Sequence, residues 1–175
     1  MQFKFETSYD TKGLAVMAKG LRKTVRKKRN RRTRILGYIA ILLGLAFLRL
    51  SGESQSGFSK GATIAAIAVM VITLIYEDKM NGWLASKRML KGTEKAVAVF
   101  DTDSPESYFS QTDIGSTQFL YSTIAAIAET DSHFVFALNA NYAQLYDKES
   151  LTGGTVDEFR AFISKTTGKE VTSVK

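Results

Sequence analysis

Two stretches of this chain lack a polar face, and that decides the solvent in which they fold. Ile35–Leu48 (ILGYIAILLGLAFL) is 14 residues without a charge, and Gly61–Tyr76 (GATIAAIAVMVITLIY) is 16. A helix of a soluble protein carries an apolar stripe and a polar opposite side, and neither block shows this. Each is shorter than the ~20 residues that usually span hydrocarbon, but each extends at its ends. Arg49 can snorkel outward at a helix end, and Phe58 and Ser59 precede Lys60 ahead of the second block. A cleaved signal peptide is disfavoured by the 34 residues ahead of the first block and by the lack of a small-residue cleavage site after it. The sequence predicts a transmembrane hairpin over 35–76, with spans at about 33–50 and 58–76 and an outer loop at 51–60.

Charge orients the hairpin. The net charge is +7, divided unevenly: residues 1–91 hold 18 Lys/Arg against five Asp/Glu, and residues 92–175 hold six against 12. The 15 residues before the first span carry nine basic side chains: Arg22, Lys23, Arg26, Lys27, Lys28, Arg29, Arg31, Arg32 and Arg34. Four follow the second span within the same distance, and the loop has only Lys60, with Arg49 at its edge. By the positive-inside rule both termini are expected in the cytoplasm, in a multi-pass cell-membrane protein. Tyr76 and Trp83 lie where inner interfacial anchors sit. Gly37, Ala40 and Gly44 on span one, with Gly61 and Ala65 on span two, offer small-residue seams for close packing of the two helices, or for a homo-oligomer through the same faces.

The basic run is a topology signal first. It also suits adsorption to anionic inner-leaflet lipid, at roughly 1 kcal/mol per basic residue near the surface. It has no interleaved aromatics for base stacking and is fused to a membrane span, so nucleic acid is not an expected partner.

The soluble parts read as α+β. Phe3 and Phe5 share one face of a short strand over 2–7, and Ser8-Tyr9-Asp10 supplies helix-start chemistry. Leu14, Met17, Ala18, Leu21 and Val25 mark an amphipathic helix expected to lead through Lys23–Arg34 into the membrane. Residues 77–91 read as a helical linker with Trp83, Leu84 and Leu90 turned inward. From 92 onward short β-type runs are expected at 94–101, 107–112, 117–121, 123–129, 132–139 and 142–146, separated by turn residues. In the run at 132–139, Phe134, Phe136 and Leu138 form one apolar face. Thr155 and Glu158 make a capping box for a final helix over 156–167, with Val156, Phe159, Phe162 and Ile163 on one stripe and Gly168 as its stop. Thr-Ile-Ala-Ala-Ile-Ala occurs at 63–68 and again at 123–128. Its flanks make the first copy membrane helix and the second a strand.

Catalytic chemistry finds few residues to work with. There is no Cys and one His, which removes disulfides, thiolate metal sites, cysteine nucleophiles and multi-His metal sites. Gly52-x-x-x-x-Gly57 imitates a phosphate loop, but Phe58 stands where the phosphate-reaching Lys belongs. His133 follows the turn Thr130-Asp131-Ser132, a setting that reads as turn chemistry rather than a triad. Asp101, Asp103 and Glu106 match no Ca²⁺ loop. We expect no catalytic residue, cofactor or metal ligand.

The order of these features resembles the YcxB-like family of bacterial membrane proteins. The resemblance is carried by the segment Phe119–Asn139 (FLYSTIAAIAETDSHFVFALN), by Ala143-Gln144-Leu145-Tyr146-Asp147-Lys148, and by the terminal helix with Phe159, Phe162 and Ile163. It implies a small antiparallel sheet-plus-helix domain over 92–175, pleckstrin-homology-like, behind the two-helix hairpin, with no catalytic residues to carry over. The function expected is a membrane-anchored binding or regulatory module that displays this domain at the inner leaflet to an unidentified protein partner. Self-protection (immunity) against a membrane-active toxin or bacteriocin is the alternative. We further expect strand 2–7 to join the C-terminal sheet, because Phe3 and Phe5 need burial on the same side of the bilayer.

Overall fold

Alternation of Phe3 and Phe5 with Lys4 and Glu6 puts one face of the first strand into protein and the other into water. In the computed structural model, which describes residues 1–50, 56–104 and 106–175, that strand, β1 (Gln2–Ser8), finds its partner far along the chain. It pairs antiparallel over its whole length with β2 (Lys95–Asp101), Phe3 opposite Phe100 and Phe5 opposite Ala98. Between the two strands lie three helices: α1 (Thr11–Lys23), α2 (Lys27–Leu50) and α3 (Gly57–Ser86). The hairpin is therefore a long excursion from the β1–β2 connection of the sheet domain.

β3 (Ser107–Thr112) and β4 (Gly115–Leu120) complete a first sheet in the order β1-β2-β3-β4. The second sheet has the order β7-β6-β5-β8, with β5 at Ala126–Glu129, β6 at His133–Ala137, β7 at Ala143–Asp147 and β8 at Val171–Ser173. All pairings are antiparallel except β5 with β8, which follows the last helix, α4 (Val156–Thr167). α4 starts on the reciprocal Thr155–Glu158 capping box and ends at Gly168 in the left-handed conformation.

Aromatic side chains fill the space between the sheets and α4. Phe159 of α4 meets Phe3, Phe5, Phe100, Phe134 and Phe136 at centroid distances of 4.7–6.3 Å. Within this core Gln144 accepts hydrogen bonds from the hydroxyls of Tyr108 and Tyr146, which satisfies buried polar groups.

Several expectations need correction. β6 is covered on both sides, not one: Phe134 and Phe136 join the aromatic core, while Val135 packs with Leu145, Val16 and Met17 beneath α1. α1 does not run on into the membrane. The chain turns at Thr24–Arg26 and α2 begins at Lys27, because the apolar face of α1 (Leu14, Leu21) is buried against the second sheet. The expected linker at 77–91 is the last part of α3 up to Ser86 followed by turns, and it faces outward, with Trp83, Leu84 and Leu90 exposed, since Gly82 is the residue that α1 approaches. The second Thr-Ile-Ala-Ala-Ile-Ala opens in a 3₁₀ turn (Tyr121–Thr123) before β5 begins. In the expected outer loop, residues 57–60 are already helical and residues 51–55 lie outside the described residues. β8 carried no sequence expectation.

Candidate membrane-interface site

α2 and α3 are each long and apolar enough to cross a membrane, and the apolar stretch of each is unburied. Leu36, Leu42, Leu43, Ile64, Val69 and Ile75 are among the exposed side chains. Such a surface belongs in lipid, and the helices satisfy their own backbone groups there. The two helices meet along a seam in which Gly37 faces Leu74 and Gly44 faces Ile67 and Thr63, close enough that a methyl on either glycine would press on its neighbour. Ala40 and Ala65 line an apolar groove of about 730 Å³ beside this seam, whereas Gly61 faces open space.

The soluble end of the hairpin is fastened to the sheet domain through α1. On one side Gly20 lies against Val135 and Gly13 against Leu145. On the other, a Cβ on Gly82 of α3 would stand 2.6 Å from the backbone nitrogen of Ala15 and 2.9 Å from the carbonyl oxygen of Thr11. Only glycine permits that crossing. Arg22 then clamps α1 to α3 with a two-point ion pair, Nε to Asp78 Oδ1 at 2.7 Å and Nη2 to Oδ2 at 2.5 Å. The Asp78 carboxylate holds the Arg22 guanidinium above its ordinary pKa.

The nine basic residues consequently divide into two sets. Arg22, Arg26 and Arg34 bind protein: Arg22 as above, Arg26 to the Ala140 carbonyl and Asn141, and Arg34 to the Leu74 carbonyl at 2.7 Å with Glu77 beside it at 3.8 Å. Lys23, Lys27, Lys28, Arg29, Arg31 and Arg32 are exposed. Burial, and then the neighbouring Arg29 charge, push the Arg26 guanidinium down. Tyr76 and Trp83 are both about half exposed, with Lys79 over the first ring at 5.5 Å and Lys87 over the second at 4.7 Å. The acids that receive Arg22 and Arg34 were missed in the sequence. Their signal was position: Glu77 and Asp78 are the first charges after the second apolar block, opposite the run of arginines.

A second feature is an open cleft of about 600 Å³ between α1, the segment after α3, the β3–β4 turn and β7. Met17, Leu90, Ile114, Phe119 and Tyr142 supply its apolar wall, and Arg88 and Gln144 its polar one. His133 sits elsewhere, its Nδ1 2.7 Å from Ser132 Oγ, and burial pushes its imidazole down. Gly57 of the phosphate-loop imitation is the first residue of α3, and residues 52–55 of that motif lie outside the described residues. Among the described residues no group of three or more His, Asp or Glu is placed to hold a metal ion.

The family model of the YcxB-like proteins matches residues 104–163, from just ahead of β3 to Ile163 in α4. No curated protein and no solved structure matches the chain.

Proposed function

We propose, with the YcxB-like stretch at residues 104–163 as the premise, that this protein is a membrane-anchored binding module. It carries a pleckstrin-homology-like sheet-and-helix domain at the inner leaflet of the bacterial cell membrane, both termini cytoplasmic, and presents it to a protein partner without performing catalysis. The observation that carries this reading is the place of the hairpin. It leaves from β1 and returns to β2, strands that pair along their full length, and α1 is wedged between α3 and the second sheet. A domain joined this way has a fixed height and orientation above the bilayer, which a flexible tether would not give. The basic flank of α2 supports the inward orientation, and the two four-stranded sheets with Phe159 of α4 packed against aromatics of both support the fold assignment.

The cleft is the surface this geometry offers a partner, since its walls come from both the domain and the end of α3. A photo-crosslinking residue placed at Ile114 of the full chain in native membranes tests this. One discrete protein adduct from Ile114, and none from the same residue placed at exposed Lys169, is the expected result. No adduct from Ile114, or equal labelling at both positions, would defeat the proposal. The full chain is needed because residues 92–175 alone lack β1 and α1.

A further inference from the structure

Where α1, α2 and α3 converge there is a recess of about 120 Å³. Arg22 and Arg26 reach it from α1 and the turn after it, Arg29, Asn30 and Thr33 from α2, and Glu77 and Asn81 from α3. We infer that this recess binds the phosphate group of an anionic ligand, supplied in the intact membrane by an anionic lipid headgroup. The inference rests on the membrane-anchored reading above, and it assigns to one site what the basic run would otherwise do diffusely.

Depth is the first reason. Thr33 lies two residues before the apolar block that starts at Ile35, and Arg29 one further turn out; Asn81 lies five residues past Tyr76. At 1.5 Å per residue these side chains occupy roughly the first 10 Å outside the hydrocarbon, the headgroup layer. Charge is the second. Among the described residues three guanidinium groups (Arg22, Arg26 and Arg29) line the recess against one carboxylate, that of Glu77, while Asp78 pairs with Arg22 from outside it. The mutual repulsion of Arg26 and Arg29 is opposed by Glu77, one carboxylate facing three guanidinium groups, and a bound anion would supply further counter-charge.

Donor availability is the third. Arg22 uses Nε and Nη2 on Asp78, and Arg26 uses the same two nitrogens on Ala140 and Asn141, so each keeps one nitrogen free among the described residues. The Arg29 guanidinium and the Asn30 and Asn81 amides make no side-chain hydrogen bond within the described residues. Rigidity is the fourth. Arg22 is fixed by its ion pair and α1 by the Gly82 crossing, so the Arg22 donor is in place before the ligand arrives. Lys28 is equally cationic and adjacent in sequence to Arg29, but it lies outside the recess.

The test is native mass spectrometry of the intact detergent-solubilised protein titrated with short-chain phosphatidylglycerol, with phosphatidylcholine of equal chain length as the neutral probe. One phosphatidylglycerol should bind with clear preference over phosphatidylcholine. Arg29→Gln should lower that affinity about tenfold or more, and Lys28→Gln less than about twofold. Both side chains are exposed, and unchanged melting without lipid will confirm that the variants fold. Inorganic phosphate as competitor separates the sources. Displacement of the lipid identifies the phosphate group as sufficient, and failure to displace identifies the membrane-held headgroup; both support the site. Equal losses in the two variants, or no preference for the anionic lipid, overturn it while leaving the membrane reading intact. A protein that stays monodisperse without detergent would instead sink the membrane reading itself.

Discussion

Thr-Ile-Ala-Ala-Ile-Ala at 63–68 and the same six residues at 123–128 take up different structures. In α3 the first copy is helix throughout, with Thr63 donating to the carbonyl of Ser59 and Ile64 left 58% exposed on the outer face. In the sheet domain Thr123 donates to the carbonyl of Leu120 in a 3₁₀ turn, and the chain then straightens into β5 with Ile124 and Ile127 fully buried. The hexapeptide has no fixed preference. In lipid each backbone group must be satisfied within its own segment, which selects helix. In the domain, β6 and β8 supply partners on both sides, which selects strand. The surroundings of the apolar atoms differ as well: protein in the second copy, and in the first an unburied helix long and apolar enough to cross a membrane.

The sharpest way to break this comparison is to truncate matched isoleucines. Ile127→Ala should cost about 2–5 kcal/mol, since it opens a cavity in a closed core. Ile64→Ala removes side-chain surface that meets lipid in either state and should cost less than about 1 kcal/mol. Urea titration of the intact protein in micelles, followed by near-ultraviolet circular dichroism of the aromatic core, measures both. Similar losses would mean that the two copies share one kind of environment.

Next in size is the joint between the two regions. Gly82→Val brings a branched side chain against the Ala15 backbone, and overpacking of this kind costs about 1–3 kcal/mol. The expected signature is faster amide exchange across α1 with exchange over 63–76 unchanged. Protection lost equally along α3 would show that the joint does not separate the two regions.

How much of this was legible depended on whether the deciding partner was local. The two long apolar helices, the capping box at Thr155 and Glu158 and the α4 stripe were readable because apolar run, cap and stripe lie within a few residues of one another. The pairing of β1 with the C-terminal sheet followed from the need to bury Phe3 and Phe5. The wedge of α1 was not readable. Its Gly13 and Gly20 fit against Leu145 and Val135, and its Ala15 backbone against Gly82, partners that the sequence places elsewhere, and Lys23–Arg34 looked like one continuous basic helix. β8 is three residues long and owes its existence to the open edge of β5. At the interface the cations were evident as a group, but their division into bound and free required Glu77, Asp78 and the Ala140 carbonyl to be in place.

Glu129, directly after the second hexapeptide, gives a smaller and pH-dependent contrast, because the first copy runs on into uncharged Val69. Its carboxylate accepts from Arg160 Nε at 2.6 Å and Nη2 at 2.7 Å, and from Lys148 Nζ at 2.6 Å. Arg160 foremost holds it below the ordinary carboxylate range, against the opposing effect of burial. A carboxylate depressed in the fold stabilises at pH above its unfolded value, and that contribution is lost as pH falls through the folded one. More than a third of the Arg160 side chain is open to solvent, so the effect should be only about 1 kcal/mol. Acid titration of stability should show a loss below about pH 4.5 that Glu129→Gln flattens, with the variant already weaker at neutral pH. An unchanged profile would remove this ion cluster as an anchor of β5.

The smallest effect tests the residue two positions ahead of each copy. Ahead of the first this is Gly61, which faces open space; ahead of the second it is Tyr121, buried, with a hydroxyl that finds no hydrogen-bond partner among the described residues. Burial, with the Asp101 charge second, raises the pKa of that phenol, so it stays protonated. Removing an unsatisfied buried hydroxyl relieves a desolvation cost, so Tyr121→Phe should be neutral or stabilising by up to about 1 kcal/mol. Tyr146→Phe supplies the opposite sign in the same core, because its hydroxyl donates to Gln144; the loss should be about 1 kcal/mol. The same urea titration measures both changes. A destabilising Tyr121→Phe would mean that its hydroxyl has a polar partner after all, and the aromatic core would then be built around two polar centres rather than around Gln144 alone.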